Sequence, residues 1–314
     1  MDFAIAALGL ILLVFGGDIL VRGSVALALR LRISPLMIGL TVVAFGTSAP
    51  ELVVSLDAAV INNTPMLALG NVVGSNIANV LLVLGVPALL CTISCSATAM
   101  TRDTMVMIVG TILFIGLCFL GTLTFWSGII LFTFLLGSLI QSARTARKNS
   151  KMISEELEEL DTETLSKQSL RVSLSLIFGG LLGLCLGAHF LVEGAIEVAR
   201  SFGVSEATIG LTMVAIGTSL PELATAVAAA VRKHCDVAIG NVIGSNLFNL
   251  LGIMGVTAIF TDVPVPQSFL TVNLWVMLGT TLMMVPIGMF RAPINRPTGL
   301  IFLSAYGAYL AWVL

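Results

Sequence analysis

Long apolar stretches, cut by short polar breaks, follow one another along almost the whole chain. They predict ten membrane-spanning helices at about 3–28, 34–61, 66–90, 104–120, 124–143, 171–199, 206–231, 237–259, 269–290 and 297–314. A bilayer core is crossed by about 20 helical residues. Several of these runs are longer, which predicts tilted or broken helices. One long hydrophilic interruption, Gln141 to Gln168, leaves five spans on either side.

The two sides repeat each other. Gly39 to Val53 reads GLTVVAFGTSAPELV, and Gly210 to Ala224 reads GLTMVAIGTSLPELA. Each is followed by a second phrase, GNVVGSNI at 70–77 and GNVIGSNL at 240–247. Over 33–54 against 204–225, 13 of 22 positions are identical, which marks a duplication. The expected organisation is a first five-helix repeat (1–143, motifs 39–57 and 70–79), a charged cytoplasmic linker (144–170) and a second repeat (171–314, motifs 210–228 and 240–249). Because each half holds an odd number of spans, the second runs through the membrane in the opposite sense. The expected fold is an all-α integral membrane protein, ten transmembrane helices arranged as two inverted-topology repeats. Such repeats place a substrate site near the midplane, where interrupted helices meet.

Composition agrees with a membrane protein. Of 314 residues, 57% are hydrophobic and 10% charged, with mean hydropathy +1.07, whereas a soluble domain carries about 25% charged residues. A net charge of −2 gives no reason to expect a nucleic-acid partner. With the N-terminus outside, 13 of the 15 Lys and Arg fall in inner loops, leaving Arg22 and Arg200. The positive-inside rule therefore predicts a plasma (inner) membrane protein with both termini outside and the central loop cytoplasmic. The N-terminal run, opening on Asp2 without a basic region, reads as a retained first span. Five cysteines fit no zinc or redox motif and read as small apolar residues in helices. Six acids between Glu155 and Glu163 read as a solvated hinge rather than a folded domain.

Candidate chemistry sits in the repeated phrases. Each sets one glutamate, Glu51 or Glu222, in an apolar stretch behind a proline and a Thr-Ser pair. An acid in hydrocarbon is costly and marks function. Pro50 and Pro221 cannot donate a backbone hydrogen bond, which frees carbonyls near Gly46 and Gly217. Thr47, Ser48, Thr218 and Ser219 add hydroxyls. An all-oxygen set with two negative charges suits a hard cation. Calcium takes about 6–8 oxygens in irregular geometry, whereas magnesium dehydrates reluctantly and transition metals prefer nitrogen or sulfur. From Ser75 and Ser245, one helical turn leads to Asn79 and Asn249, so these four residues are expected to line the site. The Gly70/Gly74 and Gly240/Gly244 pairs are expected to pack helices.

Other polar groups read as structural. Asp18 and Arg22 are spaced to pair within the first span, and repeat symmetry sets His189 and Glu193 opposite them. Asp57, Glu197 and Glu206 lie near the outer ends of their spans, where solvation explains them as well as cation attraction does.

The two G-T-S-x-P-E motifs resemble the alpha-repeats of the calcium/cation antiporter superfamily, which includes the sodium/calcium exchangers. The resemblance spans the whole chain. It implies that Glu51, Glu222, Thr47 and Thr218 ligate calcium. It also implies that the Ala44 and Ala215 carbonyls, with Ser48, Ser219, Ser75 and Ser245, add to flanking sodium sites. Asn79 and Asn249 match the family's central amide-or-acid positions. Asn249 stands where potassium-dependent relatives usually carry aspartate, which argues against that subtype. No large calcium-sensing insert is present.

The expected function is therefore not enzymatic. It is secondary antiport of cytosolic Ca²⁺ against external Na⁺ by alternating access, without a cofactor, in the lipid bilayer, with a monomer as the expected unit. Sliding of the first and sixth spans is implied by the resemblance alone. A proton/calcium antiporter on the same scaffold is the nearest alternative, since protonation of both glutamates could replace sodium. A calcium-selective channel ranks lower, because channels usually build acid rings from subunit symmetry. Serine hydrolase chemistry at Ser48 or Ser219 lacks a general base, as neither histidine accompanies the motifs.

Overall fold

The computed structural model describes residues 2–94, 100–148, 169–201 and 217–313. Ala215, Glu206, the first half of the second motif and nearly all of the central charged segment lie outside the described residues.

Among the described residues, helix accounts for all the regular structure except one pair of two-residue strands. In the first half, α1 (Asp2–Leu31) is followed by α2 (Pro35–Ile38), α3 (Ala44–Thr47) and α4 (Ala49–Leu56). Then come α5 (Pro65–Leu81), α6 (Gly85–Leu90), α7 (Met100–Cys118) and α8 (Phe125–Lys148). The second half holds α9 (Leu170–Ser201), α10 (Leu220–Val231), α11 (Cys235–Leu247) and α12 (Met254–Phe260). It ends with α13 (Leu274–Leu282), α14 (Met284–Phe290) and α15 (Arg296–Val313). Every expected span has helix within it. Among the described residues, seven helical stretches are long and apolar enough to cross a membrane, and the bent stretch Pro35–Ile61 makes eight. The remaining two, α10 and α15, are shorter or less apolar.

The breaks have local causes. Ser34 caps α2 by accepting the Met37 N–H at 3.3 Å, and Pro35 takes the first helical position, where no donor is needed. Between α3 and α4 the chain turns at Ser48 (φ −83°, ψ 5°) and the axis bends by 40°. Pro50, in the first turn of α4, cannot donate to the Gly46 carbonyl, so the helix restarts there. Ser219 repeats this geometry (φ −88°, ψ 1°) ahead of Pro221 and α10. Wider π-helical turns interrupt other spans at Gly39–Val43, Asp57–Ile61, Phe248–Ile253 and Phe269–Asn273. Turns of this kind often sit at functional sites.

α1 and α9 form the most extensive helix pair among the described residues. Gly9 lies against Leu191, Gly16 against Leu184 and Gly23 against Ile177, while Gly180 meets Leu20 and Gly187 meets Leu13. A step forward in α1 matches an equal step backward in α9, so the two run antiparallel. A Cβ at any of these glycines would strike the partner's backbone, which makes this a small-residue seam. Asp18 on α1 pairs with Arg22, as the spacing predicts (3.1 Å), and also with Arg232, at the C-terminal end of α10. The His189–Glu193 pair forms at 3.7 Å.

Two backbone ties fasten the remaining helices. Strand β1 (Thr122–Leu123) pairs antiparallel with β2 (Val263–Pro264), and Ile93 bridges to Ile294. The stretches that contain α5 and α11 are the most enclosed spans, with 78% and 83% of their apolar windows buried. These two helices carry the second phrases, so the site is framed by the best-packed part of the molecule.

Candidate functional site

Glu51 and Glu222 each stand in the first turn of a helix that restarts inside the protein, and each is 0% exposed. Their side chains are near enough for the two charges to interact. A direct bond joins the motifs: Ser48 Oγ donates to Glu222 Oε1 at 3.2 Å. Thr47 Oγ1 donates to Asn241 Oδ1 at 3.2 Å and approaches the Ala44 carbonyl at 3.4 Å. Thr47, Ser48 and Ser245 all face Glu222. The first motif therefore reaches across to the glutamate of the second, as two halves of one site must.

Ser75 and Asn79 from α5, and Ser245 and Asn249 from α11 and the π turn after it, are buried in the same framework. Asn79 Nδ2 donates to Asn246 Oδ1 at 3.1 Å, which ties α5 to α11. Gly240 and Gly244 make this packing possible, because a Cβ on either would strike backbone at Leu36 or Leu40. The edge-to-face rings of Phe45 and Phe248, 5.5 Å apart, hold the stretch beside Ser48 against the π turn. Ser75 and Asn79 lie in one regular α-helix, while Ser245 closes α11 and Asn249 lies in the wider turn that follows it.

Three further asparagines, absent from the residues expected to line the site, also contribute. Asn241 holds Thr47, Asn246 holds Asn79, and Asn71 donates to Ser55 at 3.1 Å and to the Glu51 carbonyl at 3.5 Å. Their place inside the duplicated phrases is the signal in the chain that points to them.

The chemistry of the site follows from atoms left without a protein partner among the described residues. These are both oxygens of Glu51, Oε2 of Glu222, the hydroxyls of Thr218, Ser219, Ser75 and Ser245, Oδ1 of Asn79 and both amide atoms of Asn249. A buried polar group without a partner costs roughly 1–3 kcal/mol, and more when charged. Native interiors carry few of them, so this concentration fits a cluster whose oxygens ligate a cation. A cavity of about 500 Å³ leads toward it, lined among others by Pro50, Cys185, His189, Thr218 and Pro221.

A profile of the sodium/calcium exchanger protein family matches residues 1–142 and 172–314, nearly the whole chain in two blocks. The chain belongs to the sodium/calcium exchanger family. CaxA of Alkalimonas amylolytica, a protein named as a putative antiporter, is 38% identical over 313 residues, covering 96% of this chain and 95% of that protein. The inner membrane protein YrbG of Escherichia coli is 32% identical, covering 99% of this chain and 95% of its own. Among solved structures, the sodium-calcium exchanger NCX_Mj superposes with a TM-score of 0.84 at 30% identity, covering 100% of this chain and 99% of that one. Membership in this exchanger family makes the protein a multi-pass ion transporter rather than an enzyme.

Proposed function

We propose that this exchanger moves cytosolic Ca²⁺ outward against external Na⁺, by alternating access at the buried oxygen cluster. The observation that carries the reading is the pairing of opposites at the two glutamates. Ser48 of one motif bonds Glu222 of the other, while both oxygens of Glu51 have no partner among the described residues. Glu51 and Glu222 neutralise one Ca²⁺, with Thr47 and Thr218 completing its oxygens. The Ala44 and Ala215 carbonyls, together with Ser48, Ser219, Ser75 and Ser245, take sodium, and Asn79 and Asn249 sit centrally. The two cations use overlapping oxygens, so binding of one displaces the other, which couples their movement.

The reading includes the inverted pair of repeats, 1–143 and 171–314, joined by the cytoplasmic linker 144–170. Antiparallel α1 and α9 and the two-block family match support it. It also places the chain in the inner membrane with both termini outside, as the distribution of basic residues favours. Exchange of three Na⁺ for one Ca²⁺ would move one net charge per cycle, worth about 2.3 kcal/mol per 100 mV.

The test is radiolabelled Ca²⁺ flux into proteoliposomes of the purified chain. Flux is expected to follow an imposed Na⁺ gradient at clamped pH and to stop without a counter-cation. Flux that ignores Na⁺ and follows a pH gradient would replace sodium with protons, and flux without any counter-cation would make the protein a channel.

A further inference from the structure

A second cavity, of about 680 Å³, lies between α1 and α10, and no residue of the oxygen cluster lines it. Leu13 and Val14 of α1, with Leu220, Leu223 and Val227 of α10, make its walls apolar. Leu10, Phe15 and Val231 at its margin are exposed, so it is an open groove rather than a closed void. Its charge is confined to one end. Asp18 is the last lining residue on α1 and Arg232 the last on α10, and the two are paired. Arg22, half exposed, pairs with the same carboxylate at 3.1 Å. Two guanidiniums against one carboxylate leave a surplus positive charge. Each guanidinium has five N–H donors, and Asp18 takes only part of them.

Apolar along its length and cationic at one end, the groove has the polarity of a lipid. Its length matches too. From Leu220 to Arg232 the helix rises about 18 Å, and half of a hydrocarbon core about 30 Å thick is about 15 Å. Leu220 stands two residues before Glu222, so the apolar end lies at the depth of the buried acids and the charged end one leaflet away. Water gains no hydrogen bonds along such walls, whereas an acyl chain covers them. At the charged end, the planar fork of arginine matches a phosphate. Basic groups beside a membrane surface attract anionic headgroups, so charge selects the class of lipid.

We propose that the groove between α1 and α10 holds one acyl chain of an anionic phospholipid, with its phosphate on Arg232 and Arg22. The chain lies along Val227 and Leu223 and ends at the level of Leu220. Since α1 belongs to the first half and α10 to the second, the lipid packs between the two. Binding itself is independent of transport. Only the leaflet that supplies the lipid, the inner one, rests on the membrane orientation proposed above.

The test is native mass spectrometry of the delipidated full chain in detergent, titrated with dioleoyl phosphatidylglycerol or with dioleoyl phosphatidylcholine, which has the same chains. One tightly held phosphatidylglycerol is expected, with phosphatidylcholine at least about fivefold weaker. Arg232→Gln and Arg22→Gln should each weaken phosphatidylglycerol about fivefold and leave phosphatidylcholine nearly unchanged. Ala228→Trp fills the groove and should remove the tight site with both guanidiniums in place. Val14→Trp blocks it from the α1 wall, at a position where the side chain is already exposed. Glycerol phosphate, a headgroup without chains, should neither bind nor displace the lipid. Equal affinity for the two lipids, or no loss in either arginine variant, overturns the proposal. So does a tight site that survives both tryptophans, or one that glycerol phosphate empties. Because nothing is transported in this titration, its outcome is independent of which counter-ion the exchanger uses.

Discussion

Thr47-Ser48 and Thr218-Ser219 are the same dipeptide, each placed just before a proline and a buried glutamate, yet their surroundings differ. Thr47 is bonded to Asn241 and Ser48 to Glu222, while the hydroxyls of Thr218 and Ser219 have no partner among the described residues. The glutamates follow suit: Glu222 accepts one bond from the other motif and Glu51 accepts none from a side chain. Asn71, the counterpart of Asn241, turns to Ser55 instead of to a threonine of the opposite motif. The cavity opens beside Thr218, on the less satisfied side. Duplicated sequence has thus produced two unequally bonded halves among the described residues.

The comparison is tested most severely at the acids. Glu51→Gln and Glu222→Gln should each lower Ca²⁺ transport at least about 100-fold, a loss of about 2.7 kcal/mol, with normal membrane insertion. Wild-type flux in either variant would show that the carboxylates do not share an ion. Their stabilities should separate. Glu51→Gln should raise the ion-free melting temperature in detergent more than Glu222→Gln, because Glu51 has two uncompensated oxygens and Glu222 one.

The next effect is steric. Gly240→Leu drives a side chain into the Leu36 carbonyl, beside the residue that holds Thr47. Overpacking of this kind costs about 1–3 kcal/mol, so a lower melting temperature and loss of flux are expected. An unchanged melting curve would show that this approach is not tight.

Smallest, and most specific to the asymmetry, is the pair of threonines. Thr47→Ala strands the Asn241 carbonyl oxygen and should cost about 1–3 kcal/mol in the ion-free protein. Thr218→Ala removes a hydroxyl that has no partner and should change ion-free stability by no more than about 0.5 kcal/mol. Both should weaken rather than abolish Ca²⁺ flux. Equal destabilisation by the two would dissolve the distinction between half-sites.

Much of this is legible in the amino-acid sequence. Apolar run length locates helix in every expected span, and the duplicated phrases single out the acids, hydroxyls and amides that the fold buries. Pro50 and Pro221 announce the helix restarts because a missing N–H acts locally, whatever surrounds it. What stays hidden depends on tertiary contact. Nothing near Asp18 in the chain reveals Arg232 as its second partner, and no pattern in Phe248–Ile253 announces a widened turn. The roles of Asn241 and Asn246 depend on what lies opposite them. The strand pair β1–β2 is too short to leave a periodic trace.

The glycine seam between α1 and α9 has a mechanical consequence. At five levels a missing side chain lets one backbone rest on the other, so the pair behaves as a single spar about 45 Å long. A spar of this kind cannot flex at a joint between its rods, and a load on one is borne by both. Since one rod comes from each half of the chain, the seam ties the two halves together along its whole length.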